Sequence, residues 1–176
     1  MNAEALAAAW PHVEPALGNR LAASGLKPLR LAGRTLLPLV QGGMGVGVSA
    51  RGLAGAVAHE GGVGTLSSVD LRRHHPDLME RTRGLDMGHK EEARRIIDDA
   101  NLEALSREVA GARERAGGRG LIAMNVMRAV SAYAASVKRA MEAGVDAVVV
   151  GAGLPLDLPD LAQDHPNVAL IPILSD

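Results

Sequence analysis

Short apolar runs alternate with longer amphipathic segments along most of this chain. Between the runs, apolar residues recur at a spacing of three or four, as on one face of a helix. Each run has the length of a buried strand, and glycines or small polar residues follow most of them. The runs occupy residues 36–41, 63–66, 121–126, 146–150 and 168–174. The pattern therefore predicts five strands joined by helices.

The residues at the predicted helix ends are typical of such positions. Ser49 and Ser131 stand where a hydroxyl would cap the start of a helix. Gly61 with Gly62, and later Gly144, stand where a glycine ends one. These residues predict two helices of ordinary length between predicted strands.

Residues 70–118 form a long interval between predicted strands, and its first part, residues 70–90, is polar and rich in Arg and His. A helix is predicted there from Lys90 to about Arg115, and we expect the interval to be an insert that covers the outside or mouth of the domain, or that serves as a dimer or lid element. Residues 1–35 are interpreted as a helix at 2–9 and a lead-in, and residues 36–176 as the main domain.

Alternating strands and crossover helices predict an α/β fold with a parallel sheet and right-handed connections. An open doubly wound sheet and part of a (β/α)₈ barrel both fit this order of elements. The pattern of apolar runs does not choose between them.

Composition excludes several classes of function. The 176 residues suffice for one domain, and the net charge of −1 favours neither nucleic acid nor an anionic membrane as partner. Cysteine is absent, which excludes disulfides and thiolate nucleophiles. We identify no signal peptide and no apolar run near the ~20 residues that span a bilayer, so we expect a cytoplasmic protein.

The candidate site is the loop that follows the first apolar run. Gly42, Gly43 and Gly45 allow the backbone to pass close to a flat ring, with their N–H groups facing it. Asn125 and Gly151 end two later predicted strands, and the carboxyl ends of parallel strands share one edge of a sheet. A tight turn without a ligand is the alternative for these glycines.

Two histidines lie in the polar interval and invite a metal site. His74 and His75 are adjacent and have no third ligand at a metal-binding spacing. We therefore expect solvated side chains and no metal.

Five stretches resemble, in order, the nitronate monooxygenase family, formerly called 2-nitropropane dioxygenases, which includes FMN-dependent enoyl-acyl carrier protein reductases. The stretches are PLVQGGMG (38–45), GLAGAVAHEGGVGTLSS (52–68), MNVM (124–127), GVDAVVVGAGLP (144–155) and VALIPILSD (168–176). The resemblance implies an FMN-binding TIM barrel. It also implies flavin contacts by five residues: Gly42, Gly43, Met44, Asn125 and Gly151.

The resemblance stops at the fifth predicted strand. The family's phosphate-binding loops and its catalytic His follow later strands, and none of the six histidines falls in such a motif. The resemblance thus implies an incomplete barrel that lacks the catalytic His and is inactive alone, with the catalytic residues unknown. A fragment, a half-barrel that self-associates or pairs with a chain supplying the rest, and a degenerate product all stay open.

The resemblance implies an oxidoreductase that oxidises alkyl nitronates with O₂ through FMN. One alternative keeps the fold and reduces an enoyl thioester with NAD(P)H, since the QGGM and MNVM stretches occur in that branch too. The other alternative is a non-catalytic half-barrel that acts as a binding or assembly module.

Overall fold

The computed structural model describes residues 15–85 and 89–174, so the helix predicted at residues 2–9 lies outside the described part. In chain order the elements are α1 (Pro15–Ser24), β1 (Leu29–Leu31), β2 (Arg34–Leu36), α2 (Arg51–His59), β3 (Val63–Ser67), a 3₁₀ helix (Leu71–His74), α3 (Pro76–Arg81), α4 (Lys90–Ala116), β4 (Leu121–Met127), α5 (Tyr133–Glu142), β5 (Ala147–Gly151), α6 (Leu158–Leu161) and β6 (Ala169–Pro172).

The centre of the fold is a four-stranded parallel sheet with helices between its strands. Its strands lie in the spatial order β3-β4-β5-β6, the same as their order along the chain. All three pairings are parallel, with Val63 opposite Leu121 and Ala147 opposite Ala169. The predicted α/β class with a parallel sheet is confirmed, as are four of the five predicted strands.

The first predicted strand, at residues 36–41, is the exception. Its first residue ends β2, which pairs with β1 in an antiparallel hairpin. The remainder runs beside β3 and makes a single parallel bridge, between Val40 and Val63. Pro38 has no N–H to donate, and the N–H of Leu39 bonds to a carbonyl two residues back, at 2.7 Å. The segment therefore touches the sheet without forming a regular strand.

The two faces of the sheet are covered differently. One face carries the helices and the larger apolar core, which includes Leu66, Met124 and Val148. The other face packs against the β1–β2 hairpin, where Leu121 and Ala147 are buried with Leu36 of β2. The hairpin therefore packs over the amino-terminal ends of the strands, where Val63, Leu121 and Ala147 lie.

The long helix α4 connects β3 to β4 and packs against α2 and α5 in the helical layer. Its predicted start at Lys90 is exact, and it ends one residue after the predicted end. Gly55 of α2 permits close contact with α4, since a Cβ there would lie 3.0 Å from the Ala112 carbonyl oxygen. Within residues 15–85 and 89–174, no helix has both the length and the apolar character needed to cross a membrane.

The helix ends show which local signals were correct. Gly61 and Gly144 follow the last turns of α2 and α5 with φ of 95° and 92°, as expected of glycines that end helices. The predicted serine caps are wrong, because α2 and α5 begin after Ala50 and Ala132, and neither start has a side-chain cap.

Candidate functional site

The predicted site residues lie at the carboxyl edge of the sheet. In the strand register Asn125 of β4 is opposite Ser67, the last residue of β3. Gly151 ends β5 and is opposite Met127, so it lies one strand farther from the glycine loop and two residues beyond the level of Asn125. The glycine loop, residues 42–48, connects the segment beside β3 to α2 and contacts this edge.

Gly43 and Asn125 are in direct contact, although 82 residues separate them. The side-chain amide Nδ2 of Asn125 donates a hydrogen bond to the Gly43 carbonyl oxygen at 3.2 Å. A Cβ built on Gly43 would lie only 2.4 Å from the Asn125 Cβ, whereas one on Gly42 would meet nothing within 4 Å. Gly43 is therefore required for this approach of loop to strand, and Gly42 is not.

Ser49 stabilises the loop from beneath, in place of its predicted role as a helix cap. Its side chain is fully buried. The hydroxyl accepts hydrogen bonds from the Met44 N–H and from Gln41 Nε2, both at 2.8 Å, and donates to the Gly42 carbonyl at 3.1 Å. The backbone N–H of Ser49 returns a bond to the Met44 carbonyl at 3.0 Å, which closes the loop.

Gln41 connects the loop to the edge of β3. Its Oε1 accepts the backbone N–H of Thr65 at 3.0 Å, and its own N–H donates to the Val63 carbonyl at 2.9 Å. Nε2 of the same side chain also bonds to the Gly42 carbonyl. The Gln41 side-chain oxygen thus takes the place of its own backbone carbonyl in the parallel ladder and satisfies a donor on β3.

The loop presents apolar side chains to solvent above this network. Met44 is 46% exposed, and Val46 and Val48 are similarly exposed. The N–H of Met44 bonds to the Ser49 hydroxyl and is therefore not available to a ligand. The exposed side chains of Met44, Val46 and Val48 are available for contact with a ligand.

A cavity of about 370 Å³ opens beside the end of β5 and is lined by Ala152, Gly153, Leu154, Ile173 and Leu174. Gly151 lies next to it, since a Cβ there would be 3.2 Å from the Ile173 Cδ1. The five lining residues are apolar or small, so the cavity suits an apolar group.

Sequence reasoning missed a polar cluster at the same edge, just after β4. The Arg128 guanidinium lies 4.6 Å from the centre of the Tyr133 ring, and its Nε is 3.4 Å from Asp157 Oδ1. The Tyr133 hydroxyl donates to the same carboxylate oxygen at 3.4 Å. Burial, followed by the charge of Asp157, raises the pKa of Tyr133 above its usual value. An Arg directly after a strand was the only signal in the sequence.

His75 is buried, which corrects the expectation of a solvated pair, while His74 is exposed. The Nε2 of His75 lies 3.1 Å from Oε1 of Glu108, a fully buried residue of α4. The other oxygen of Glu108 accepts the Arg51 N–H at 2.7 Å, so a carboxylate from α4 stands at the start of α2, where a helix favours negative charge. Among the described residues no three His, Asp or Glu side chains are arranged to hold a metal ion.

Comparisons with known proteins add no assignment to this geometry. No protein-family model matches the chain, and no curated protein matches it. The functional interpretation therefore rests on the contacts at the carboxyl edge of the sheet and on the resemblance of the five sequence stretches.

Proposed function

We propose that this chain forms part of the flavin site of an FMN-dependent oxidoreductase of the nitronate monooxygenase type, which oxidises alkyl nitronates with O₂. The observation that carries this proposal is the contact between Gly43 and Asn125. The two residues come from separate stretches of the sequence that each suggested a flavin contact. Their meeting at the carboxyl edge, where α/β folds bind ligands, is what one shared site requires.

The arrangement of strands supports a barrel as the parent architecture. The strands follow one another in space in their chain order, and the segment before β3 lies on the outer side of β3. A doubly wound sheet reverses its order at the point where it binds its ligand, whereas a (β/α)₈ barrel does not. We therefore propose that the sheet is a sector of such a barrel.

The residues at this edge suit the ring system of a flavin. Gly42 and Gly43 let a planar ring approach the backbone, and the half-exposed Met44 side chain can pack on its face. Asn125 keeps an amide oxygen that can accept a hydrogen bond from the ring. FMN, when bound, supplies the electron transfer between nitronate and O₂, and the protein's part is binding and orientation.

Titration of the purified chain with FMN, followed by flavin fluorescence and visible absorbance, tests the proposal. We expect saturable binding that is weakened in Gly43→Ala, which pushes the loop away from Asn125, and in Gly42→Ala, which places a Cβ where the ring approaches the backbone. Gly52→Ala, at an open position outside the loop, should retain binding. None of the proposed contact residues is a cation, so we expect riboflavin to bind about as well as FMN. A chain that takes up neither compound contradicts the proposal.

The reaction type is tested with the flavin-loaded chain under exclusion of O₂. An alkyl nitronate is expected to shift the visible flavin band by binding beside the ring, while NADH leaves it unchanged. The opposite result, a response to NADH and to an enoyl thioester, favours the NAD(P)H-dependent enoyl-thioester reductase instead.

A second candidate function is a binding or assembly module. Exposed apolar side chains at both edges of the sheet favour it. Leu39 and Val40 are 49% and 58% exposed at one edge, and Ile173 and Leu174 are 56% and 68% exposed near the other. Open sheet edges with apolar side chains are surfaces on which another chain can pair. The partner we propose is a second copy of this chain, or a chain that supplies the remaining strands.

Sedimentation velocity across the micromolar range tests the self-association. We expect a concentration-dependent dimer or larger species, and we expect Val40→Lys, which places a charge on an exposed edge, to weaken it without unfolding the chain. A compact monomer at every concentration contradicts self-association. Colourless protein that associates but binds no flavin favours the module over the enzyme.

A further inference from the structure

The loop that carries Gly42, Gly43 and Met44 is held by a buried polar network that no ligand needs to touch. We propose that Ser49, assisted by Gln41, is a positioning residue that sets the ligand-contacting conformation of this loop. The proposal rests on the proposed flavin site, and it adds that the site is built before the ligand arrives. Ser49 acts through Gly42 and Met44, because its own side chain is fully buried.

The hydrogen-bonding capacity of the Ser49 hydroxyl is fully used. A hydroxyl has one donor and two acceptor positions. Here the donor bonds to Gly42, and the acceptors bond to the Met44 N–H and to Gln41 Nε2. Removing this oxygen leaves polar groups of the loop without partners, which costs more than the bonds themselves contribute. An apolar side chain at this position cannot maintain the same loop.

The network also connects the loop to the sheet. The Ser49 carbonyl accepts the Ser67 N–H at 2.9 Å, and Gln41 Oε1 accepts the Thr65 N–H at 3.0 Å. Ser67 is opposite Asn125 in the register of β3 and β4. The position of the loop is therefore set relative to the strand that carries Asn125. Because the loop is already ordered, less conformational entropy is lost when it binds a ligand.

The start of α2 does not depend on Ser49. The helix begins at Arg51, and the carboxylate of Glu108 accepts the Arg51 N–H. Loss of the Ser49 hydroxyl should therefore change the loop and its ligand affinity, and leave the helix in place. This separates a positioning role from helix capping.

The experiment compares Ser49→Ala and Ser49→Thr with the control Ser131→Ala. Ser131 is an exposed serine that precedes α5, and like Ser49 it does not cap the helix that follows it. The first readout is hydrogen exchange of the Met44 amide in ligand-free protein. We expect protection in the native chain and in Ser131→Ala, and exchange faster by roughly tenfold in Ser49→Ala, since one hydrogen bond is lost. Ser49→Thr keeps the hydroxyl and should restore protection.

The second readout is the dissociation constant for FMN together with the visible spectrum of the bound flavin. We expect Ser49→Ala to weaken binding roughly tenfold and to alter the spectrum, with recovery in Ser49→Thr. Unchanged affinity and spectrum in a folded Ser49→Ala overturn the inference. If the native chain binds no flavin, the proposed function fails. The Met44 exchange rates then decide the inference: unchanged rates in Ser49→Ala refute it, and faster rates support a preset loop.

Discussion

The contact between Gly43 and Asn125 makes a sharp prediction for Gly43→Ala. The added Cβ would lie 2.4 Å from the Asn125 Cβ, 2.8 Å from its Nδ2 and 3.0 Å from its Cγ. Carbon atoms in packed interiors prefer about 3.5–4.0 Å, so the loop and β4 must separate by about 1 Å or more. Forced shifts of this kind typically cost about 1–3 kcal/mol. We expect Gly43→Ala to lower the free energy of unfolding by that amount.

Gly42→Ala is a matched control, because it has the same chemistry in the same loop and meets nothing within 4 Å. Neither glycine has a positive φ, so alanine causes no backbone strain at either position. Urea denaturation followed by circular dichroism should place Gly42→Ala within about 0.5 kcal/mol of the native chain. Equal stability of the two variants would refute the steric reasoning.

A double-mutant cycle locates the clash on Asn125. In the Gly43→Ala background, Asn125→Gly removes all three contacting atoms, whereas Asn125→Ala retains the Cβ at 2.4 Å. We expect a favourable coupling of about 1 kcal/mol or more with Asn125→Gly and a much smaller one with Asn125→Ala. Equal couplings would mean that the cost of Gly43→Ala arises elsewhere.

Three further predictions concern two glycines of the helical layer and sheet and the buried tyrosine. Gly64→Ala would place a Cβ 1.8 Å from the Ala54 carbonyl oxygen, so we expect a loss of about 4 kcal/mol or more, seen by circular dichroism as a chain that does not fold; a native-like thermal transition would contradict this. Gly52→Ala, at an exposed and open position of α2, should raise the free energy of unfolding by about 0.5–1 kcal/mol in the same urea assay, and a destabilised variant would show that the position is not open. Tyr133 is the single tyrosine, so its phenolate absorbance reports one pKa, which burial and then Asp157 raise above 10.0. Asp157→Asn should lower that pKa towards 10.0. Because folding raises the pKa of Tyr133, the protonated phenol contributes stability at pH values below the pKa of the unfolded chain. That stability is lost as pH rises through the pKa of the folded chain. An unchanged phenolate titration in Asp157→Asn would exclude the contact with Asp157.

The sequence by itself determined the class of the fold and most of its strands. Strands β3, β4 and β5 are mostly buried and β6 is partly buried, and in each the signal is an apolar run within the strand itself. The first and last residues of helix α4 could be predicted closely from the sequence, because glycines follow the helix and its apolar positions recur with helical spacing. Such features depend on neighbours along the chain, which a sequence displays directly.

Tertiary structure decided the features that depend on distant partners. Ser49 satisfies the local rule for a helix cap, but Glu108, 57 residues from Arg51, stands at the start of α2. His75 lies in a polar, charged stretch and is buried, because Glu108 faces it across the helical layer. Local pattern cannot show a carboxylate that arrives from another helix.

The same distinction applies to the candidate site. Resemblance of the sequence stretches selected Gly43 and Asn125 separately, and only packing brought the loop onto β4. The run at residues 36–41 has the composition of a strand. Because a proline lies within it and its first residue belongs to the hairpin, it makes only a single parallel bridge to β3. Composition records whether a residue prefers burial or a turn, whereas the contacts of a loop depend on how strands and helices pack around it.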